Sequence, residues 1–255
     1  MRGAHPAEYS LIPTISWLSL AWLLLPLGLV LIIYTAWRGD PREILIASAR
    51  MTLQLIAVGY VLVYLFEQPS PWISLGVMTV MLAAAAWIAI RPVRHHAGFL
   101  RPALIALAVS VGLNLLIALG LVMEVQSWYE PRLLIPLAGM FFANTMNAIS
   151  LAAERYHAER HDGKDHRSAR HNAFHAAMIP QINGLLAVGL VALPGMMTGQ
   201  ILSGVSPLIA VRYQILIMAA VLGSSGVGAA LMLWQMDGRR QMHRRDAAQS
   251  GDGPD

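Results

Sequence analysis

Long blocks without a charged residue are the feature that most constrains this chain. Asp, Glu, Lys and Arg are absent from residues 9–37, 68–90, 102–123, 133–153, 171–211 and 213–236. An α-helix needs about 20 apolar residues to cross the hydrocarbon core of a bilayer, so most of these blocks have the length of one span. Only 13% of the residues are charged, about half the share in a typical soluble domain. The sequence therefore predicts an all-α, polytopic membrane protein.

The blocks, together with the apolar stretch around Arg50, predict about seven transmembrane helices. They are placed at residues 11–36, 44–66, 70–90, 102–123, 132–153, 172–193 and 212–236. We expect one transmembrane domain over residues 1–236. The tail, residues 237–255, is polar and is expected to be disordered.

The basic residues divide unequally between the two sides of the membrane. With seven spans, fourteen of the eighteen Lys and Arg residues lie on one side, and only Arg2, Arg132 and Arg212 lie on the other. Basic residues accumulate in cytoplasmic loops, so the N-terminus is predicted outside and the C-terminus in the cytoplasm. The basic pI of about 9.8 then reflects these loops, and no nucleic-acid partner is expected.

The stretch LPGMMTGQILSGVSP, residues 193–207, concentrates helix-breaking residues between the last two spans. Freed backbone groups are tolerated at membrane depth only where protein or a cavity satisfies them, and transporters place such broken helices at substrate sites. The stretch therefore indicates a broken or re-entrant helix on a substrate pathway, or else a tight extracytoplasmic turn. The pathway candidates are Pro194, Gly195, Met196, Met197, Thr198, Gly199 and Gln200, with Gln214 on the last span.

Few polar residues lie inside the spans, and none of them is acidic. A proton-coupled carrier, which usually needs buried carboxylates or histidines, is therefore disfavoured. Asn144 and Asn147 either pack against another helix or face a pathway. Arg50 either snorkels to the headgroups or, with Gln54, acts as a gate or a tether between helices.

A histidine-rich loop follows the fifth span. The pairs His157/His161 and His171/His175 are four residues apart, a spacing that places two imidazoles on one helical face and suits a divalent metal. The alternative is a solvated, charged cytoplasmic hairpin, because no complete ligand signature is present.

Absent motifs narrow the function further. The chain has no cysteine, no G-x-x-x-x-G-K-[ST], no H-E-x-x-H and no G-x-S-x-G. It therefore lacks a P-loop of its own and a nucleophile elbow. These absences favour a transport subunit over an ATPase or an intramembrane enzyme.

Four stretches carry a resemblance to a known family: ARMTLQLIAVGYVLVYLF (49–66), IPLAGMFFANTMNAISLA (135–152), AAMIP (176–180) and VGLVALPGMMTGQILSGVSPLIAVRYQILIM (188–218). Together they resemble the FetB family, the permease subunits of bacterial iron-export ABC transporters, to which plant aluminium-tolerance membrane subunits are related. The resemblance covers roughly residues 40–235. The matching motif positions are Arg50, Gln54, Gly59, Pro136, Gly139, Asn144, Pro194, Gly195, Met196, Met197, Gly199, Pro207, Tyr213 and Gln214.

The resemblance implies a permease domain in the bacterial inner membrane that forms a homodimer among membrane lipids. It also implies a separate ABC-type ATPase subunit that binds ATP and Mg²⁺, while this chain binds no cofactor. The loop between the fifth and sixth spans is shorter than in the family, and His171 and His175 replace basic residues there. These departures leave ATPase coupling open.

The substrate also stays open at this point. The thioethers of Met196 and Met197 suit softer ions than iron, and no acidic span residue neutralises a free cation. The alternatives to metal export are an organic or nucleotide-sugar substrate, and a metal-sensing membrane scaffold that transports nothing.

Overall fold

The computed structural model describes residues 15–67, 70–94 and 98–249, the last thirteen of these by backbone alone. The helices are α1 (Trp17–Ala36), α2 (Pro41–Glu67), α3 (Pro71–Ala89), α4 (Leu100–Leu116), α5 (Pro131–His161), α6 (His166–Ala187), α7 (Gly195–Leu202) and α8 (Pro207–Gln249). A 3-10 turn interrupts α1 at Ala21–Leu23, and a π-helical turn, Ile117–Val122, follows α4. The described residues contain no β-strand, so the all-α prediction is confirmed.

Proline sets where four of these helices begin. The first residues of α2, α3, α5 and α8 are Pro41, Pro71, Pro131 and Pro207. Proline suits the first helical position because its fixed φ is already helical and its missing N–H would have no partner inside the helix. The local sequence therefore fixes these four helix starts.

Six described helices are long and apolar enough to cross a membrane: Trp17–Ala36, Pro41–Glu67, Pro71–Ala89, Leu100–Val122, Pro131–His161 and Pro207–Met236. The prediction of a polytopic helical membrane protein is confirmed. The sixth predicted span, residues 172–193, corresponds to α6, which is not among these six helices and ends earlier, at Ala187. The start of the first predicted span, residues 11–14, lies outside the described residues.

The helices group into two units, residues 1–68 and 69–255. In the first unit, α1 packs against α2. In the second unit, α5 is the central helix and packs against α3, α4, α6 and α8, while α7 packs against α8.

Alanine dominates the core of the second unit. Small residues let helix backbones approach closely in a membrane protein. Along α6, Ala169, Ala173 and Ala177 are fully buried at every fourth position. The other buried alanines of the helices are Ala85, Ala86 and Ala89 on α3, Ala103 and Ala106 on α4, Ala138, Ala148, Ala152 and Ala153 on α5, and Ala210 and Ala229 on α8.

A buried carboxylate holds the turn between α5 and α6. Glu159 is only 2% exposed, and its two oxygens lie 2.5 Å from the guanidinium of Arg155 and from the ammonium of Lys164. Asn172 Nδ2 donates a 3.0 Å hydrogen bond to the same carboxylate from α6. Buried charges are stable only when paired and hydrogen-bonded, and Glu159 meets both conditions.

The last helix does not end at the predicted tail boundary. Its backbone continues from Pro207 through residue 236 to Gln249, and residues 250–255 lie outside the described part of the chain. The single permease domain over 1–236 with a disordered tail over 237–255 stays a prediction.

Candidate functional site

The helix break predicted between the last two spans is present as a turn, a short helix and a second turn. After α6 ends, Gly189 adopts a φ of +83°, and its N–H donates a 3.0 Å hydrogen bond to the carbonyl of Ala192. Gly204 adopts a φ of +88° after α7. Glycine populates positive φ without a steric cost, so these two residues reverse the chain on either side of α7.

A cavity of about 210 Å³ lies beside this break. Three helices each contribute one amide side chain to its wall: Asn144 from α5, Gln181 from α6 and Gln214 from α8. Pro194, the residue before α7, also lines it. We call this space the amide cavity.

Two amides of this cavity are buried, and one of them is incompletely paired. Gln181 and Gln214 are 8% and 7% exposed, and Gln214 Oε1 has no hydrogen-bond partner among the described residues. Asn144 Nδ2 donates to the Met140 carbonyl of its own helix at 2.8 Å. An unpaired buried polar group costs about 1–3 kcal/mol. A ligand that offers a proton donor or a cation would remove this cost.

A second cavity, of about 510 Å³, adjoins the first and shares Pro194, Gln214, Met218 and Leu222 with it. The Met197 thioether and aliphatic side chains form most of its remaining wall. We call it the apolar cavity. The two cavities together offer a ligand one polar and one apolar surface.

The structure brings some of the predicted pathway residues together. Asn144, Pro194 and Gln214 line the amide cavity, and Met197 lines the apolar cavity. The side-chain oxygen Oε1 of Gln200 is also buried without a partner among the described residues. It lies on α7 and lines neither cavity.

The other pathway candidates lie elsewhere. Asn147 is exposed, Met196 packs against the hydrophobic core, and the Thr198 hydroxyl donates to the Pro194 carbonyl at 3.2 Å. Gly195 and Gly199 are exposed on α7. A pathway role for these residues stays a prediction.

Gln181 is a site residue that the sequence prediction missed. It continues the buried stripe of Ala169, Ala173 and Ala177 with the same four-residue spacing. The signal was therefore present, since a glutamine that replaces alanine in a packing stripe has to find polar partners or a cavity.

The predicted histidine pairs differ from each other. The rings of His171 and His175 lie 4.6 Å apart. In contrast, the His157 ring packs edge-on against Phe99 at 5.3 Å, and His161 is exposed. No group of three or more His, Cys, Asp or Glu residues within the described ranges could hold a metal ion. Metal binding at this loop stays a prediction.

Comparison with known protein families finds a match for this chain. The model of the Uncharacterised protein family (UPF0014) matches residues 16–240. The chain belongs to this family.

Relatives of this UPF0014 chain are named as membrane proteins. A UPF0014 membrane protein of Synechocystis is 38% identical over 84% of this chain and 89% of its own length. The probable iron export permease protein FetB of Escherichia coli is 29% identical over 74% of this chain and 78% of its own length. The UPF0014 membrane protein STAR2 of rice is 32% identical over 78% and 74%. No solved structure matches the chain.

The predicted gate residues of this UPF0014 chain lie on α2, in the first unit. Arg50 and Gln54 are both exposed there, one helical turn apart. Their role as a gate or a tether stays a prediction.

Proposed function

We propose that this chain is the membrane-spanning permease subunit of an ABC transporter that exports iron or another metal from the cytoplasm. A separate ATPase subunit binds ATP and Mg²⁺, and two permease chains form the translocating unit. The chain lies in the bacterial inner membrane with its N-terminus outside and its C-terminus in the cytoplasm. The similarity to a probable iron export permease is the observation that carries this proposal.

The chemistry of the amide cavity supports a metal that travels with its own ligands. Amide oxygens suit hard and borderline cations, and the three amides come from three helices. None of the residues that line the cavity is acidic, so a bare cation would keep its full charge there. A hydrated or chelated metal presents proton donors or a lower net charge, and it fits the unpaired oxygen of Gln214.

The α5–α6 turn supports coupling to an ATPase. On the predicted topology this turn faces the cytoplasm. The Glu159 contacts with Lys164 and Asn172 tie the turn to both helices. A force applied at this surface would therefore move α5 and α6 together, even though the loop is short.

An organic substrate is the second candidate, and the apolar cavity favours it. Its wall is almost entirely aliphatic and thioether, as in many small-molecule sites that combine an apolar surface with a few polar groups. A molecule with an amide-binding head and an apolar body would occupy both cavities.

Metal accumulation in cells tests the proposal. Cells that lack the chain are compared with cells that carry it intact, or carry Gln181→Leu or Gln214→Leu, with the ATPase supplied throughout. We expect iron to rise without the chain and to stay raised with either cavity variant. Asn183→Leu is the matched control, because Asn183 is exposed two residues along α6 from Gln181; it should restore low iron.

Other results of the same comparison would redirect the interpretation. Unchanged iron in all strains would remove the metal proposal, and loss of an organic solute by export would then support the second candidate. Low iron in cells that carry the chain but lack the ATPase would contradict the ABC mechanism. An equal defect in Asn183→Leu would mean that the cavity is not the determinant.

A further inference from the structure

A second surface, distant in sequence from the helix break, combines positive charge with apolar residues. A groove of about 500 Å³ lies between the first half of α6 and the α8 segment that carries Trp234. Its α6 wall carries Arg167, Arg170, His171 and His175. We call it the basic groove.

The charge in this groove is of one sign. All four basic side chains are exposed, and none of the described side chains that line the groove is acidic. The neighbouring carboxylate of Glu159 is engaged by Arg155 and Lys164. The groove is therefore complementary to an anion, and its imidazoles, 4.6 Å apart at the ring centroids, add two proton donors to the guanidinium groups.

The rest of the groove is apolar. Phe174 on α6 and Leu233 on α8 line it beside Trp234, whose side chain is 68% exposed. A soluble phosphate compound would use the basic groups but leave this surface uncovered. A phospholipid satisfies both parts, with the phosphate at the basic groups and an acyl chain along the aromatic and aliphatic side chains.

The sequence on both sides of the groove indicates that it lies near the depth of the lipid headgroups. Trp234 stands in the last turn of the apolar segment Pro207–Met236, and Trp is enriched where the hydrocarbon core meets the headgroups. On α6, Arg167 and Arg170 come directly before the charge-free stretch that begins at residue 171. Both helices therefore change from apolar to basic or polar sequence at the groove.

We propose that the basic groove binds the headgroup of an anionic phospholipid. Arg167, Arg170, His171 and His175 hold the phosphate, and Trp234 contacts the upper acyl chain. The site is separate from the amide cavity and shares no lining residue with it, so it does not depend on which substrate the protein transports.

Quenching of tryptophan fluorescence by brominated lipids tests this site directly. The full chain is reconstituted into phosphatidylcholine vesicles that contain equal fractions of either brominated phosphatidylcholine or brominated phosphatidylglycerol. The chain has seven tryptophans, so the Trp234 signal is obtained by difference from Trp234→Phe. We expect the brominated anionic lipid to quench this signal more strongly than the brominated neutral lipid.

Variants that remove positive charge test whether the groove causes the preference for the anionic lipid. Each basic residue near a membrane surface contributes roughly fivefold to the binding of an anionic lipid, so Arg167→Gln/Arg170→Gln should lower the apparent affinity by more than tenfold. His171→Gln/His175→Gln should lower it by a smaller factor. Arg94→Gln/Arg101→Gln, which removes two basic residues outside the groove, should leave the preference intact. Unchanged quenching by the neutral lipid shows that each variant is folded.

Three results would overturn the proposal. The two lipids could quench Trp234 equally. The Arg94→Gln/Arg101→Gln control could lose the preference as strongly as the groove variants, which would assign it to general surface charge. An excess of inorganic phosphate could abolish the preference while bulk salt at equal ionic strength does not, which would identify the groove as a site for a soluble phosphate compound.

Discussion

The two ends of α6 are built in opposite ways. At its first end, Glu159 of α5 is buried against Lys164 of the connecting turn and Asn172 of α6. At its last end, the chain turns at Gly189, passes through the short helix α7 and turns again at Gly204. The first end is charged and densely paired, whereas the last is free of charge and rich in helix breakers.

This difference separates two roles along one helix. A buried carboxylate with three partners favours a single arrangement, because moving a partner away weakens the compensation of a charge that is itself out of water. Glycine turns with few buried contacts resist displacement much less, and Leu190 and Val191 in the first turn are exposed. The amide cavity lies at this weaker end, where a ligand could change the local structure without disturbing the α5–α6 turn.

The largest expected effect comes from breaking the charged end. Glu159→Gln removes the charge that Arg155 and Lys164 face and leaves both cations uncompensated beside the helix turn. We expect a large fall in the Tm of the purified protein and early loss of α5–α6 protection in hydrogen exchange.

The matched control is Glu154→Gln, because Glu154 is an exposed glutamate on the same helix. It should leave the Tm unchanged. If both variants lowered the Tm equally, the buried network would not be what stabilises this end of α6.

An intermediate loss of stability is expected where α4, α5 and α8 pack together. This contact serves as a reference for the two ends of α6. A Cβ at Gly228 of α8 would lie 2.5 Å from Thr145 Cγ2 on α5 and 3.1 Å from Ser110 Oγ on α4. Overpacking of this kind costs about 1–3 kcal/mol. Gly228→Ala should therefore lower the free energy of unfolding by this amount in denaturant titrations.

Gly226→Ala, two residues earlier, separates packing from helix propensity. Its Cβ would meet only Met178 at ordinary contact distances, 3.7 and 3.8 Å. A loss equal to that of Gly228→Ala would indicate that the three-helix contact is not tightly packed.

The smallest effect is expected at the helix break itself. Gly204→Ala forces a side chain into the left-handed region at a φ of +88°, which costs roughly 1–2 kcal/mol. Gly199→Ala, within α7 and with no atom within 4 Å of the added Cβ, should instead stabilise α7 by up to about 1 kcal/mol. Limited proteolysis at residues 203–206 measures both changes. If Gly204→Ala destabilises this region while Gly199→Ala stabilises it, the backbone geometry of the turn, and not the space around it, determines the stability of the last end of α6.

Most of the fold could be predicted from the sequence because its signals are local. Charge-free blocks of span length and prolines at helix starts depend on residues within one helix. The break after α6 was also predictable, since Pro194, Gly195 and Gly204 act on their own backbone. The exact end of α6 was not, because the six residues that follow it, VGLVAL, contain no polar side chain that would mark the boundary.

The candidate site was predictable only in part because it depends on which helix faces meet. Asn144 and Gln214 were expected on a pathway, and they line one cavity with Gln181. Asn147, three residues further along α5, is exposed, and its role on a pathway stays a prediction. The pairing of Glu159 with Asn172 joins residues thirteen apart across a turn, and no local pattern indicates it.

The alanine core has a mechanical consequence. An alanine methyl group has no side-chain rotamer to lose on burial and none to change when a neighbouring helix shifts. The contacts that α5 makes through its alanines therefore do not interlock. Interlocking leucines would have to unlock and repack for α5 to slide, as in knobs-into-holes packing. The alanine-lined part of α5 lacks this interlocking, which suits the shear movements by which packed helices slide past one another, whereas the buried Phe141, Ile149 and Tyr156 hold the rest of the helix in place.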